Sequence, residues 1–338
     1  MLLLFYKMIK RAKILLLIFL LPIFALGQKF EYGLEMDGIG DNREFFSGYS
    51  EPGTTLGSRI GIDAGTRIDS IHQIRAGVSY FYEYGSVIFE QPIIPILYYS
   101  VEKGPLAFKM GAFMRKEAIQ FPQAIISDMY EYYNPTIDGL LFKYKKTNWQ
   151  STVFVDWVSR TDSVRREQFM AGIQASVHPG NFIADFYWYM FHNAGNLSRP
   201  AGDHIKDYMG ALATVGYDFS KFIPKATLTV KTGVLVSMFR DRGTNGLDYQ
   251  PAFSSYTEVE AAYKGFGVKS LFNFGDKHSF SHGDVFFNNT TSYIRTDLYF
   301  TPINLEHVKG RFTWSFHWAN SDMENQQLFS LVYIFKKL

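Results

Sequence analysis

The sequence contains no cysteine among its 338 residues. That excludes a disulfide scaffold, a thiolate metal site, a cysteine nucleophile and a lipid-modified N-terminal cysteine. A basic excess is also missing. Residues 1–27 hold Lys7, Lys10, Arg11 and Lys13 and no acid; without those four, the 34 basic residues fall to 30 against 32 acidic ones. A protein that tracks a nucleic-acid backbone needs the opposite balance, so nucleic acid is not an expected partner. No GxGxxG, P-loop or histidine-rich tract occurs. No run after residue 27 approaches the ~20 apolar residues of a membrane-spanning helix.

What is present is grease with a rhythm. The chain is 47% hydrophobic and 17% aromatic, too apolar for disorder. Residues 1–27 have the layout of a secretory signal peptide. A basic segment ends at Lys13, an apolar stretch follows with Pro22 in it, and Ala25-Leu26-Gly27 forms a small-x-small cleavage site before Gln28. Residues 28–338 are then the expected mature protein, a single domain.

That domain alternates by two. Trp149, Ser151, Val153, Val155 and Trp157 share one face of their segment. Phe182, Ala184, Phe186, Trp188 and Met190 do the same, as do Phe312, Trp314, Phe316 and Trp318. Period two is a strand signal. A soluble sandwich also alternates, but its strands average about five or six residues, and these segments are often ten or more. Trp149 and Trp157 would lie roughly 20 Å apart along a tilted strand, close to the spacing of two aromatic girdles. The pattern predicts an all-β, antiparallel up-and-down transmembrane barrel of about sixteen strands, or fourteen if 93–102 or 266–275 fails to pair.

Connections alternate in length. Short ones fall at 67–70, 103–104, 146–147, 179–181 and 265; long ones at 39–54, 116–136, 194–206, 241–251 and 276–287. This is the topology of a Gram-negative outer-membrane barrel with both ends in the periplasm. Outer-membrane lipid, lipopolysaccharide and the barrel assembly machinery are the expected partners. Phe329, Leu331, Tyr333 and Phe335 resemble the alternating aromatic C-terminal signature that this machinery reads, although the chain ends in Lys336-Lys337-Leu338.

Charges on a lipid face cost ~2–4 kcal/mol each near the midplane, so the strand charges belong inside. Arg59, Arg75, Arg115, Asp156, Arg160, Asp185, Arg295, Asp297 and Arg311 are candidate pore-lining residues. Their signs give no basis for charge selectivity. Residues 116–136 follow the fifth strand, as does the constricting loop of general porins. A short helical turn is expected between Pro122 and Pro135. Asp128 and Glu131 would face Arg59, Arg75 or Arg115 across a constriction, and the tyrosines would stack on sugar faces. The expected function is therefore passive diffusion of small hydrophilic solutes, saccharides among them. A closed structural or surface-binding barrel is the alternative, and an outer-membrane hydrolase comes third.

Catalytic groups do not assemble in the sequence. His317 projects inward with Ser315 two residues before it, while Asp203-His204 and His278-Ser279 fall on loops. No third group visibly orients a base, so no enzymatic activity is expected. His278, His282 and Asp284 match no ligand spacing, and neither metal nor cofactor is expected.

Three segments, DNREFF (41–46), FPQAIISDMYEYYNPTIDG (121–139) and FVDWVSRTDSVRREQF (154–169), resemble those of single-chain, porin-like outer-membrane barrels common in Bacteroidota, a group without an assigned substrate. The resemblance covers most of residues 28–338 and implies a porin-like barrel. Its polar positions here are Asp41, Arg43, Asp128, Asp156, Arg160, Arg165 and Arg166.

Overall fold

The computed structural model describes residues 28–198, 202–244 and 246–337; the expected signal segment lies outside them. The strands are β1 (Gln28–Glu44), β2 (Gly53–Ile68), β3 (His72–Glu83), β4 (Ile94–Lys103), β5 (Leu106–Met114), β6 (Thr136–Lys146), β7 (Trp149–Ser159), β8 (Gln168–Val177), β9 (Phe182–Asn193), β10 (Lys206–Asp218), β11 (Ala226–Asp241), β12 (Gln250–Tyr263), β13 (Phe266–Gly275), β14 (Ser292–Asn304), β15 (Val308–Ala319) and β16 (Asp322–Lys337). Each pairs antiparallel with its sequence neighbour. β1 closes the barrel on β16, in register from Tyr32↔Lys337 to Glu44↔Asn325. Closure leaves no open sheet edge, so the wall amides pair from strand to strand around the barrel and need no water. Both 93–102 and 266–275 pair, which gives sixteen strands rather than fourteen.

The two faces divide as the alternation predicts. On β7, Trp149, Val153, Val155 and Trp157 are exposed on the outside, while Phe154 and Asp156 are buried inside. One end of the barrel carries turns such as 104–105, 147–148 and 264–265. The other carries the long connections, among them 115–135, 194–205 and 276–291. The exception at the long-loop end is Asn320-Ser321, a two-residue hairpin turn between the paired Ala319 and Asp322. Asn320 takes its positive φ of 53° there, as Asn tolerates in such turns.

β1 continues to Glu44, past the expected limit of 38. Its Gly38-Ile39-Gly40-Asp41-Asn42 stretch has weak strand propensity by itself. It is held because both neighbours pair with it, Gly40 lying between Leu56 and Phe329. Asp41 and Arg43 are therefore wall residues and not loop residues, and Asp41 is buried.

The apolar core lies inside the barrel. Phe113, Ile137, Leu141, Phe154, Met170, Tyr189, Leu212, Leu235, Tyr256 and Tyr293 point inward from the wall. They meet Phe45, Ile119, Ile125, Ile126, Phe280, Phe286 and Phe287 from the connections. Phe45 comes from the connection after β1, and two other connections supply the rest of this plug. The first contains α1 (Arg115–Ala118) and α2 (Asp128–Tyr133); the second contains α3 (Val285–Asn289). Ser127 caps α2 by accepting the Tyr130 N–H at 3.3 Å, and Asp284 caps α3 by accepting the Phe286 N–H at 3.0 Å. The two connections clasp each other through Ser127 N–H to the His282 carbonyl and Asp284 N–H to the Gln123 carbonyl, both 2.8 Å. The plug presses on the wall where the wall is bare: a Cβ on Gly210 would collide with the Phe280 ring.

Candidate functional site

The inward fold of residues 115–135 agrees with the sequence expectation, but the partners differ in detail. Arg115 sits in α1, fully buried, rather than on a strand. Its guanidinium donates to Asp156 at 2.6 Å, to the Asn134 carbonyl at 3.0 Å and to the Thr136 carbonyl at 2.7 Å, and stacks over Tyr130. Arg59 donates to the Tyr132 carbonyl and lies over the Phe81 ring. Asp128 does not face Arg59, Arg75 or Arg115. It accepts from Gln123 at 2.6 Å, and the Gln123 side-chain carbonyl accepts from Arg295. Arg295 also holds Asp297 at 2.7 Å and Ser315 at 3.2 Å. Glu131 has Arg115 and Lys116 as its nearest countercharges, and burial raises its pKa to about 7, with Asp128 adding to the rise.

Below the plug the charges form ladders. Lys231 bridges Asp185 at 3.5 Å and Glu258 at 3.0 Å, and Glu258 continues to Lys269 at 3.0 Å. Arg75 pairs with Asp63 and, at 3.4 Å, with Glu31, which also takes Arg67 at 2.6 Å. Arg311 lies near the short-turn end over the Tyr299 ring. Arg160 departs from expectation: β7 stops at Ser159, and Arg160 stands exposed in the following connection. Two cavities of about 240 Å³ each, with mixed polar and apolar linings, lie in the lumen.

The inward histidines contact hydroxyls and rings of the wall and the plug. His317 bonds Tyr293 Oη at 2.8 Å between the rings of Phe45 and Phe286, whereas Ser315 is taken by Arg295, so the two do not form a dyad. His278 lies between Ser254 at 2.7 Å and Ser237 at 3.0 Å; burial depresses its pKa to about 4. His282 packs among Tyr130, Tyr189 and Phe191, and burial with the nearby Arg115 holds it at about 3. Asp284 caps α3, so these three groups serve different neighbours.

A second constellation lies on the outside of the wall. β9 turns Tyr189 and Phe191 inward, so His192 faces outward with Phe186, Trp188 and Met190. Register sets Phe169, His192, Asp207 and Arg240 side by side across β8 to β11. His192 Nδ1 and Asp207 Oδ1 are 2.7 Å apart. Asp207 Oδ2 accepts from Arg240 at 2.6 and 2.9 Å and from Arg242 at 3.0 Å. Phe169 packs on His192 and stacks on Trp157, which belongs to the aromatic belt. Arg240 lies over Tyr249, and Arg166 holds Asp203 in the adjoining loops. The opposite nitrogen of His192, Nε2, has no hydrogen-bond partner among the described residues. A base oriented by a carboxylate, flanked by guanidinium groups, thus sits on the outer wall at the long-loop rim.

The family model described as lipid A 3'-O-deacylase-type matches residues 28–335. The chain belongs to that family. The expectation of no enzymatic activity is thereby overturned, because this is a family of enzymes. No curated protein matches the sequence. Solved structures match in fold. A loop-deletion form of OmpT from Vibrio cholerae has 11% identity and a TM-score of 0.56, covering 91% of this chain and 100% of its own. An anion-selective porin from Comamonas acidovorans has 9% identity and a TM-score of 0.54, covering 91% and 99%. OprB from Pseudomonas putida has 11% identity and a TM-score of 0.52, covering 92% and 94%. The protein is a porin-like barrel of the bacterial outer membrane.

His192, Asp207 and Arg240 are absent from the residues singled out by sequence. A signal was there: His192 shares the parity of Phe186, Trp188 and Met190, so a histidine falls on the lipid-facing side of a strand. Pairing it with Asp207 requires the β9–β10 register, which residue spacing alone does not supply.

Proposed function

We propose that the protein hydrolyses an acyl ester of an outer-leaflet glycolipid, with His192 as the general base. The observation that carries this reading is the His192–Asp207 pair on the outer wall at headgroup height, beside the Trp157–Phe169 belt. Lipid reaches that face laterally, without entering the barrel. The family match supports the same chemistry.

The residues supply the parts in order. Asp207 holds Nδ1–H, which leaves Nε2 as the acceptor. No serine, threonine or tyrosine hydroxyl bonds His192 among the described residues, so water is the nucleophile. Nε2 takes a proton from water while the water oxygen bonds to the ester carbonyl carbon. The carbonyl oxygen becomes an oxyanion, and Arg242, two-fifths exposed, has donors left over to face it. The intermediate collapses, the alkoxide of the sugar leaves with the proton from His192, and the fatty acid is released.

Mass spectrometry of lipid A from cells expressing the protein tests this. Wild type should remove an acyl chain, and His192→Gln should slow removal by about 10²-fold or more, the usual contribution of a general base. Full activity in a folded His192→Gln variant would move the site elsewhere. Unaltered lipid A with wild type would remove the reading altogether.

Passive diffusion of small hydrophilic solutes, such as saccharides, is the second reading. The charged lower lumen and the porin fold favour it; the apolar plug stands against it. Single-channel recording in a planar bilayer separates the two, since a plugged hydrolase shows no steady conductance.

A further inference from the structure

We propose that the lumenal cavity between β1, β4 and β5 binds a small zwitterionic solute of the α-amino-acid type, taken from the periplasm. This inference is independent of the outer-wall chemistry. The cavity has a volume of about 240 Å³, and its lining includes Glu35, Gly61, Ile96, Tyr98, Lys109 and Phe113.

The argument rests on two charges left over. Most other charges in the lining are paired: Arg75 with Asp63, Arg67 with Glu31 and Lys336 with Glu117. Glu102 stands exposed near the end of β4, at the short-turn mouth of the barrel. Glu35 is only 9% exposed, yet its carboxylate has neither an ion pair nor a hydrogen bond among the described residues. Lys109 likewise has no carboxylate within ion-pair distance; its ammonium rests against the rings of Tyr98 and Phe113 at 5.2 and 5.8 Å. Burying an unpaired carboxylate is costly. The two groups border one cavity and do not reach each other, so the space between them asks for a solute carrying both signs.

An α-amino acid fits that demand. Its ammonium would meet Glu35 and its carboxylate Lys109, each as a charge-assisted hydrogen bond of ~2.8 Å. Ile96, Tyr98 and Phe113 offer an apolar wall for a side chain. Gly61, the register partner of Glu35 on β2, leaves space beside that carboxylate: a Cβ there would touch only the Cβ of Glu35, at 3.8 Å. The plug closes the route from outside, so the ligand arrives past Glu102 and Arg67.

Calorimetric titration of the detergent-solubilised full chain tests this with leucine, N-acetylleucine and leucinamide. Leucine should bind saturably, and each derivative, lacking one charge, should bind at least tenfold more weakly. Glu35→Gln should abolish the preference for leucine over N-acetylleucine. Lys109→Met should abolish the preference over leucinamide. Gly61→Val should fill the space and weaken leucine binding, with folding of every variant checked by heat-modifiable gel mobility. Absence of saturable binding by leucine and by glycine overturns the proposal. So does binding that none of the three folded variants changes.

Discussion

Arg115 Nη2 and Asp156 Oδ2 meet at 2.6 Å, joining the first turn of the plug to the inner wall of β7. Asp156 is not only an ion-pair partner: its other oxygen accepts the Asp138 N–H at 2.9 Å. The pair is almost wholly shut off from water, so removing one member leaves the other as a buried, uncompensated charge. That costs about 3–5 kcal/mol. Arg115→Ala should therefore loosen the plug more than Asp156→Asn, which keeps one carbonyl oxygen to accept from one of the two neighbours. Thermal denaturation followed by near-UV circular dichroism should show a low-temperature transition for Arg115→Ala that wild type lacks. A single transition at the wild-type temperature would mean that the apolar contacts alone seat the plug.

Docking of the plug should depend on pH through groups of both kinds. Burial raises Glu131 from 4.5 to about 7, so the docked plug holds it protonated. Below pH 4.5 the group is neutral whether docked or free. Between 4.5 and 7 the free loop loses the proton and the docked one keeps it, so docking weakens as pH rises. Asp128 and Asp284 are raised by burial and act in the same direction. His278 and His282 oppose them. Their depressed values, about 4 and about 3, mean that docking weakens as pH falls below 6.5. Opening events in a planar bilayer should thus rise on both sides of an intermediate pH. Glu131→Gln should flatten the neutral limb and His282→Gln the acid limb. A neutral limb unchanged by Glu131→Gln would place that carboxyl in water.

The wall was legible and the plug only in part, for a physical reason. Strand alternation is local, so Trp149 to Trp157 or Phe312 to Trp318 declares its face without reference to any other segment. Residues 115–135 declared themselves by length and prolines. The connection expected at 276–287 read only as a long loop, although Phe280, Phe286 and Phe287 make half the plug. Their burial depends on Ala124 to Ile126 arriving from the other connection, a contact between segments far apart in sequence. The same holds for His192 and Asp207, and for Arg160, whose inward parity ends with the strand. β1 beyond residue 38 shows tertiary pairing overriding weak local propensity.

Sidedness has a direct test, because the chain has no native cysteine. Asn196→Cys, in the connection after β9, should react with an impermeant thiol reagent on intact cells. Thr147→Cys, in the turn between β6 and β7, should react only after the outer membrane is permeabilised. The reverse pattern would put the His192 face in the inner leaflet and take the proposed hydrolysis with it.

Deleting residues 123–133 separates the plug from the outer wall. The deletion removes Gln123, and with it the bridge between Arg295 and Asp128, along with Ile125 and Ile126 from the apolar cluster. It leaves every strand ladder intact, and the ladders carry the backbone hydrogen bonds of a barrel. The deletion variant should fold, gain conductance and admit larger solutes. His192, Asp207 and Arg240 lie on the other side of the wall, so acyl release from lipid A should stay within about twofold of wild type. Unchanged conductance in a folded deletion variant would mean that residues 276–291 seal the lumen alone. Loss of acyl release alongside a gain in conductance would tie catalysis to the lumen and argue against the outer-wall site.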